Sequence, residues 1–428
     1  MDIVVKGGQT LAGEVTPSGS KNSAVAIIPA TVLFDKPVKL TNIPDITDVA
    51  SLVDILRGFG SKIKWDKTKK IIDIDNKNLS FEKVDSESLG KMRGTSLLWG
   101  PMLMRFGKVN FGQLPGGCTL GFRTLSPHYK ALESLGVQVA NRGDGVVMDA
   151  SHVVAGTVWM SEMSPTATAN VIMLATGLSG VTKIVGAASE PQVQDLCNFL
   201  ASAGAKISGI GSSVLVVEGV KSLSSVTHDI LSDHYEITTF LAMGAVTGGE
   251  VRVKNATPDY FGYINQVFSK FGIVISYDGD TAVVKKGQKV ALKYEEGRNL
   301  MTVKAQPWPG LPVDTLPLFI PIALTAASGH VLFHNWMYEA GLFWTSQLTK
   351  LGANIVMADP HRVIVLSGSK LKGAKMEAPY IIRATVAMVM AAMVSQGDSE
   401  ILNAEALYRG HPHFAENLKK LGASIKEK

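Results

Sequence analysis

The sequence predicts an α/β protein of two domains, built from six repeats whose central helices are buried among small sheets. Three observations predict this class. The chain has 428 residues, more than the roughly 250 to 300 at which a single hydrophobic core stops growing. A glycine that ends an amphipathic segment recurs six times. A nearly all-apolar segment precedes each of these glycines, as expected of a repeated structural unit.

The recurring glycine marks the place where a helix ends and a strand begins. Before the first copy, Leu52, Leu56 and Phe59 are spaced as the apolar face of a helix. Glycine closes a helix because it adopts the left-handed conformation at little cost, and the β-branched residues after it start a strand. The copies, each reading Gly-x-x-Ile/Val, are Gly60, Gly136, Gly204, Gly272, Gly352 and Gly422.

The apolar segments predict the buried helices. A helix that is apolar nearly all round has no face to offer to water, so it must lie inside its domain. Each repeat is therefore predicted as a buried helix, a strand, an amphipathic helix, a strand and a hairpin partner such as residues 214–217. The buried helices are expected to begin near Asn22, Thr95, Thr166, Tyr235, Asp314 and Arg383.

The sixth repeat lacks its hairpin partner, because only three residues follow Ile425. The segment 3–7 has the pattern of residues 216–219, so we expect it to supply the missing strand. This predicts one domain of three repeats at 21–226 and a second formed by 1–20 together with 227–428. We expect a cleft between the two domains.

Composition and charge narrow the class of protein. The formal net charge is +5, and the lysines and arginines are scattered, which argues against a nucleic-acid groove and suits a small anionic substrate. Residues 1–11 lack the apolar core of a secretory signal. The apolar runs at 316–327 and 384–394 are shorter than the ~20 residues that span a bilayer. We therefore expect a cytoplasmic protein without membrane insertion.

The two cysteines have different surroundings. Their small number predicts a reducing compartment without disulfides. Cys197 lies in an apolar helical stripe with Leu196 and Leu200 and is predicted to pack in the core. Cys118 lies in the segment 115–123, which contains three glycines and Arg123. The glycines predict a mobile lid, and the positive charge of the arginine would stabilise the thiolate form of Cys118. A buried cysteine in a turn remains an alternative.

Polar residues gather at the predicted starts of the buried helices. Ser164, Asp233 and Asp314 can cap them by accepting hydrogen bonds from backbone N–H groups. Cations cannot accept such bonds and are unfavourable at the positive end of a helix dipole unless an anion compensates. We therefore expect an anion site at these helix starts. The cations there are Lys21, Arg93 and Arg383.

Other chemical motifs are absent from the sequence. It contains neither the glycine-lysine signature of a P-loop nor a G-x-G-x-x-G opening a helix, which disfavours kinases and nicotinamide enzymes. His411 and His413 have no recognisable third metal ligand and are interpreted as surface or hydrogen-bonding residues. We expect no metal and no cofactor.

Several longer motifs carry a resemblance to a known family. They are Ser20-Lys21-Asn22-Ser23, Met92-Arg93-Gly94, Arg105-Phe106-Gly107, Pro115-Gly116-Gly117-Cys118, Ser189-Glu190-Pro191, Pro312-Val313-Asp314, Ile382-Arg383-Ala384 and Arg409-Gly410. On these motifs the chain resembles the enolpyruvyl transferases, essentially from end to end. The resemblance implies an inside-out α/β barrel fold with two domains of three repeats each. It also implies transfer of the enolpyruvyl group of phosphoenolpyruvate to the 3-hydroxyl of UDP-N-acetylglucosamine, with release of phosphate, as the first committed step of peptidoglycan synthesis.

The resemblance also implies roles for individual residues. Cys118 would protonate the methylene carbon of phosphoenolpyruvate, form a covalent adduct with it and be alkylated by fosfomycin, while Asp314 would meet the sugar hydroxyl. The phosphoenolpyruvate ligands would be Lys21, Asn22, Arg123, Arg383 and Arg409. The residues bordering the UDP-sugar would be Asn22, Arg93, Arg123, Thr124, Leu125, Ser126, Pro127, Ser164, Thr166, Asp314 and Met337.

Two positions depart from the family pattern. Gly341 stands where the family usually has an arginine after a Glu-Asn pair, and Ile381 stands where an aspartate normally lies two residues before Arg383. The loss of one cation and one carboxylate is either a mutually compensating change or a sign of weakened turnover.

Two other functions remain open at this point. The shikimate-pathway enolpyruvyl transferase shares the fold but typically lacks the cysteine loop and carries Asn-Ala-Gly-Thr, where this chain reads Met92-Arg93-Gly94-Thr95. A non-catalytic UDP-sugar-binding regulator of wall synthesis is favoured by Gly341 and Ile381. Retention of Lys21, Cys118, Asp314 and Arg409 opposes that second alternative.

Overall fold

The computed structural model describes residues 1–80, 89–90, 92–112, 124–142, 145–297 and 299–428. The described chain forms two compact units. The first comprises the described residues from Gly19 to Leu231, and the second comprises Met1–Ser18 with Ser232–Lys428. The unit boundary after Leu231 lies five residues beyond the predicted one, because strand Val226–Asp229 pairs with Val38–Thr41 of the first unit.

The first unit has three helical segments buried at its centre. Their side chains are buried nearly all round, and the segments pack against one another. The segment predicted near Thr95 begins as a 3-10 helix and continues as an α-helix. The central segments are Lys21–Ala30, Arg93–Leu98 with Trp99–Phe106, and Pro165–Gly177. The outer helices are Thr47–Gly58, Ser126–Glu133 and Pro191–Ser202, and a short 3-10 turn spans Thr31–Leu33.

Three small sheets accompany these helices, and strands named one after another are hydrogen-bonded neighbours. The first sheet has Val226–Asp229, Val38–Thr41, Ile71–Asp75 and Lys62–Asp66. The second has Lys108–Phe111, Gly145–Asp149 and Gln138–Arg142 among its described residues. The third has Lys206–Ser208, Val214–Glu218, Val181–Val185 and Thr157–Trp159.

The second unit repeats this plan. Its buried central helices pack pairwise and are His234–Thr247, Leu316–Thr325 and Ile382–Val394. The outer helical segments are Pro258–Phe261 with Gly262–Lys270, Phe343–Leu351, Ala404–Arg409 and Phe414–Lys420. The sequence predicts an amphipathic helix in the fifth repeat, and the structure has a 3-10 helix there, Phe343–Leu351. The hydroxyls of Thr345 and Thr349 bond carbonyls three residues back, which matches the tighter winding.

The sheets of the second unit include two strands from the N-terminal segment. The first sheet has Lys375–Glu377, Ser399–Leu402, Ile3–Val5 and Ile425–Glu427. The second has Ile275–Asp278, Thr281–Val284, Val251–Val253 and Gly13–Val15. The third has Met301–Lys304, His330–His334, Arg362–Leu366 and Asn354–Asp359.

Strand Ile3–Val5 lies between the two strands of the sixth repeat and is antiparallel to both, with Val5 opposite Ser399 and Ile425. Strand Val214–Glu218 has the same place in the third repeat. The N-terminal segment thus supplies the hairpin partner that the sixth repeat lacks.

The six recurring glycines end helical segments as the sequence predicts. Each has a positive φ, from 75° at Gly272 to 105° at Gly204. Side chains are strained in this conformation, so a glycine is favoured at each of these helix ends. Among the described residues, none of the helices combines the length and hydropathy needed to cross a bilayer.

Candidate functional site

In the first unit, Lys21 begins a central helix and forms a close ion pair. Ser20 caps this helix by accepting a hydrogen bond from the Ser23 amide. The Lys21 Nζ lies 2.6 Å from the Asp48 Oδ2, and the two side chains are 16% and 10% exposed. Asp48 therefore offsets the cation at the positive helix end, a role that the sequence argument assigned only to an external anion. Asn22 is partly exposed on the same helix turn.

Arg93 contacts the segment that was predicted to border the same ligand. Its Nη2 donates to the Thr124 carbonyl at 3.0 Å, and the Thr124 hydroxyl accepts from the Ser126 amide at 3.0 Å. Leu125 and Pro127 of this segment are buried. Among the described residues 124–127, Thr124 and Ser126 have the accessible side chains.

Ser164 and Thr166 lie beside His128, a residue that the sequence did not identify. Ser164 caps the helix Pro165–Gly177, and its hydroxyl lies 3.5 Å from that of Thr166. The Thr166 hydroxyl lies 2.8 Å from the His128 Nε2. His128 packs edge-on against Trp99. Only three-dimensional proximity links these residues, because they belong to three separate helices.

Trp99 also stacks on Tyr129, with ring centroids 5.5 Å apart. Burial raises the pKa of Tyr129, and the nearby charge of Arg93 lowers it. The Arg93 and Thr166 neighbourhoods are therefore linked through Trp99, His128 and Tyr129. Together they form a polar and aromatic cluster at the starts of two central helical segments.

In the second unit, Arg383 is held in a buried cluster of charged side chains. It is the second residue of helix Ile382–Val394 and is 6% exposed. Its Nη2 lies 3.9 Å from the Asp233 Oδ1, its Nη1 contacts the His411 Nε2, and its guanidinium lies over the Tyr235 ring. Asp233 also caps helix His234–Thr247 by accepting from the backbone amides of residues 235 and 236.

His411 extends the cluster to Glu236. Both side chains are fully buried, and the His411 Nδ1 lies 3.6 Å from the Glu236 Oε1. The other carboxylate oxygen of Glu236 accepts from the Ser18 amide at 2.7 Å. Burial, together with the charge of Arg383, lowers the pKa of His411. The sequence interpretation of His411 as a surface or hydrogen-bonding residue is thus resolved in favour of a buried, hydrogen-bonded one.

Arg409 lies at the end of the 3-10 helix Ala404–Arg409, two residues before His411. Its guanidinium is 5.0 Å from the centre of the Tyr380 ring, a distance typical of a cation–π contact. Tyr380 precedes Arg383 by three residues. The two predicted anion ligands of this unit, Arg383 and Arg409, therefore belong to neighbouring segments.

Asp314 and Met337 are both partly exposed. Asp314 was predicted as a possible cap, but the helix Leu316–Thr325 begins after Thr315 and has no side-chain cap. Its carboxylate is therefore not committed to that role. Met337 packs against the core of the second unit.

The two departures from the family pattern are built into the local packing. Ile381 precedes helix Ile382–Val394 without capping it and packs against the core. A Cβ at position 341 would overlap the amide nitrogen of Asn335, whose side chain is buried. A side chain at position 341 would therefore require the Asn335 amide to shift.

Of the two cysteines, Cys197 lies within the described part of the chain. It is buried in the core as predicted, and burial raises the pKa of its thiol to about 12. Cys118 and Arg123, with the lid predicted around them, lie outside the described residues. Within the described ranges, no group of three or more histidine, cysteine or acidic side chains could hold a metal ion.

The chain is similar to known proteins over its whole length. The family model described as EPSP synthase (3-phosphoshikimate 1-carboxyvinyltransferase) matches residues 5–418. A UDP-N-acetylglucosamine 1-carboxyvinyltransferase of Borreliella burgdorferi is 38% identical over 99% of this chain and 98% of its own. The protein of that name from Bradyrhizobium diazoefficiens is 37% identical over 100% of this chain and 98% of its own.

Solved structures share the fold. The enolpyruvyl transferase NikO from Streptomyces tendae aligns with a TM-score of 0.88 at 21% identity, covering 100% of this chain and 98% of its own. The EPSP synthase of Acinetobacter baumannii aligns with a TM-score of 0.73 at 15% identity, covering 99% of each chain. With the family match and the full-length relatives, these similarities show that the chain belongs to the EPSP synthase family of enolpyruvyl transferases.

Proposed function

We propose that this protein transfers the enolpyruvyl group of phosphoenolpyruvate to the 3-hydroxyl of UDP-N-acetylglucosamine and releases phosphate. One observation carries the proposal: full-length relatives at 36–38% identity bear the name of this activity. The partly exposed Asp314 and the cations Lys21, Arg383 and Arg409 agree with it, since the substrates are anions and the reaction needs a proton acceptor.

We assign phosphoenolpyruvate binding to Lys21, Asn22, Arg123, Arg383 and Arg409. Cations near the phosphate stabilise the charge that shifts onto it as it leaves. The residues assigned to the UDP-sugar are Asn22, Arg93, Arg123, Thr124, Ser126, Ser164, Thr166, Asp314 and Met337. Leu125 and Pro127, which belong to the same segment, are assigned to the UDP-sugar as well.

The proposed reaction proceeds by addition and then elimination. Cys118 donates a proton to the methylene carbon of phosphoenolpyruvate, which leaves an oxocarbenium-like centre on the neighbouring carbon. The sugar 3-hydroxyl attacks that centre, and Asp314 accepts the hydroxyl proton. The Cys118 thiolate then takes a proton back from the methyl group, phosphate departs with the electron pair of its C–O bond, and the double bond is restored. Cys118 also traps the electrophilic carbon as a covalent adduct.

The proposal extends to the setting of the reaction. The two units, each with three buried helical segments, are suited to the inside-out α/β barrel that the resemblance implies. We assign the two predicted domains to these units, with the N-terminal strands completing the second. We assign the reaction to the first committed step of peptidoglycan synthesis in the cytoplasm.

The two alternatives make different predictions. The shikimate-pathway activity draws support from the description of the family model, but the solved EPSP synthases are only 15% identical to this chain. A non-catalytic UDP-sugar-binding regulator draws support from Gly341 and Ile381. The buried partners of Arg383 weaken that support, because this arginine is held without an acidic residue at 381.

Phosphate release from phosphoenolpyruvate tests the proposal. We expect release with UDP-N-acetylglucosamine as acceptor, none with shikimate 3-phosphate, and a loss of at least about a hundredfold in Cys118→Ser, since the proton donor is removed. Release with shikimate 3-phosphate alone would establish the first alternative. Tight binding of the UDP-sugar without any release would establish the second.

A further inference from the structure

The buried position of Arg383 needs a physical explanation. A guanidinium at the start of a helix faces the positive end of the dipole, and burying a charge is costly unless it is paired. Arg383 is 6% exposed, and the residue two positions before it is Ile381, which is not acidic. Its charge is offset by Asp233 at 3.9 Å and by the face of the Tyr235 ring.

The contact with His411 fixes the protonation state of the imidazole. Arginine only donates hydrogen bonds, so the His411 Nε2 that contacts the Arg383 Nη1 must present a lone pair. The proton of the neutral ring is then on Nδ1, which lies 3.6 Å from the Glu236 Oε1. Burial and the charge of Arg383 lower the pKa of His411, which agrees with a neutral ring.

The Glu236 carboxylate is held in place by a backbone amide of the N-terminal segment. Its second carboxylate oxygen accepts a 2.7 Å hydrogen bond from the Ser18 amide. A continuous chain of contacts therefore runs from Ser18 through Glu236 and His411 to Arg383. The residues come from four separate segments of the second unit, and the imidazole is the link that reaches the guanidinium.

We propose that His411, which faces Glu236, is a positioning residue that together with Asp233 orients Arg383 to bind phosphoenolpyruvate, in place of an acidic residue at position 381. This inference rests on the proposed function and names a residue of that same site. The His411 Nε2 accepts from Nη1, and Asp233 faces Nη2. The Arg383 Nε is buried and has no hydrogen-bond partner among the described residues. In the proposed complex an oxygen of the anion supplies that partner.

The inference predicts a selective loss. Replacing His411 by leucine removes both the acceptor for Arg383 and the ring nitrogen that faces Glu236 at 3.6 Å. We expect His411→Leu to weaken phosphoenolpyruvate binding about tenfold to a hundredfold, as measured by calorimetry and by KM, because a hydrogen bond to a charged group is lost. The KM for UDP-N-acetylglucosamine should stay within about threefold, since Arg383 is not assigned to the sugar.

Two further variants separate positioning from folding. His411→Gln keeps one acceptor and one donor, so it should retain phosphoenolpyruvate affinity within about threefold of the parent. His413→Leu is the matched control, because His413 is an exposed histidine whose partner is Glu416, and it should leave both KM values unchanged. A purely structural role for His411 would instead lower the melting temperature and raise both KM values together.

A double-mutant cycle with Arg383→Ala gives the decisive result. If His411 acts through Arg383, adding His411→Leu to Arg383→Ala should cause no further loss of phosphoenolpyruvate affinity. Equal losses in both backgrounds, or no loss in His411→Leu alone, would overturn the inference. A parent protein that binds phosphoenolpyruvate but releases no phosphate would refute the proposed function. The double-mutant cycle, which measures binding, would still test the positioning role of His411. A parent that binds neither phosphoenolpyruvate nor inorganic phosphate would overturn both.

Discussion

At the scale of single residues, the main finding is that buried partners hold the predicted cations. Lys21 pairs with Asp48, and Arg383 pairs with Asp233 and contacts His411. The sequence identified these cations because they are unfavourable at helix starts. It could not identify their partners, which come from distant segments and follow no local pattern. For the same reason it missed His128 beside Thr166.

The ion pair of Lys21 leads to a test of its anion affinity. Asp48→Asn removes the carboxylate that offsets this largely buried cation, so we expect the free energy of unfolding to fall by about 2 kcal/mol, between the values for exposed and buried pairs. In Asp48→Asn, an added anion should then offset more of the Lys21 charge than it does in the parent. The increase in melting temperature on adding inorganic phosphate should be larger in Asp48→Asn than in the parent, and an equal or smaller increase would show that Lys21 does not face the anion.

The two cysteines should differ sharply in reactivity. Fosfomycin should alkylate Cys118 and leave Cys197 unmodified, because burial raises the pKa of Cys197 to about 12 and only the thiolate is a nucleophile. Bound UDP-N-acetylglucosamine should accelerate the modification. Mass spectrometry of peptides from the parent and from Cys118→Ser gives the readout. Modification of Cys197, or equal labelling of the two proteins, would refute the assignment of Cys118 as the reactive thiol.

At the scale of secondary structure, the repeated glycine was the most informative signal. It predicts six helix ends because a positive φ is a local requirement that the residue type reveals directly. The kind of helix was harder to predict. Phe343–Leu351 is wound as a 3-10 helix, and amphipathic spacing does not distinguish this winding from an α-helix.

The buried imidazole of His234, the first residue of helix His234–Thr247, should make the free energy of unfolding depend on pH. Burial lowers the pKa of His234 to about 4, below its unfolded value of ~6.5, so the unfolded state binds the proton more readily. This contribution to stability is complete above about pH 6.5 and is lost as the pH falls toward 4. The loss is about 3 kcal/mol by linkage, and buried His411 acts in the same direction.

His234→Phe tests this pH dependence. Phenylalanine keeps the ring contacts with Tyr235 and Trp308 and cannot be protonated. Urea unfolding at about pH 7.5 and about pH 4.5, on either side of the unfolded pKa, should show a smaller decrease in unfolding free energy for the variant than for the parent. The same decrease in both proteins would mean that the buried imidazole does not titrate on unfolding.

At the scale of the whole molecule, the described part of the chain passes between its two units twice. Strands Ile3–Val5 and Gly13–Val15 join sheets of the second unit, and the chain leaves the first unit only after Val226–Asp229 has paired there. The pattern shared by segment 3–7 and residues 216–219 reveals the first of these strands in the sequence. Parallel pairs such as Gly13–Val15 with Val251–Val253 join distant segments, so no local signal predicts them.

The packing of the first strand can be tested with two single variants, in which valine is replaced by threonine at adjacent positions. Val5 is fully buried and Val4 is partly exposed. Val5→Thr should lower the free energy of unfolding by about 2 kcal/mol, because it buries a hydroxyl in an apolar core. Val4→Thr should change it by less than about 0.5 kcal/mol. Equal effects in denaturant titrations would indicate that the strand does not pack as the structure describes.

The central claim is that this protein places an enolpyruvyl group on a UDP-sugar. The most direct measurement is mass spectrometry of the products from a single reaction that contains phosphoenolpyruvate, UDP-N-acetylglucosamine and shikimate 3-phosphate in equal amounts. The account predicts that only the UDP-sugar gains an enolpyruvyl group, with one phosphate released for each one transferred. A product formed on shikimate 3-phosphate, or no product on either acceptor, would contradict it.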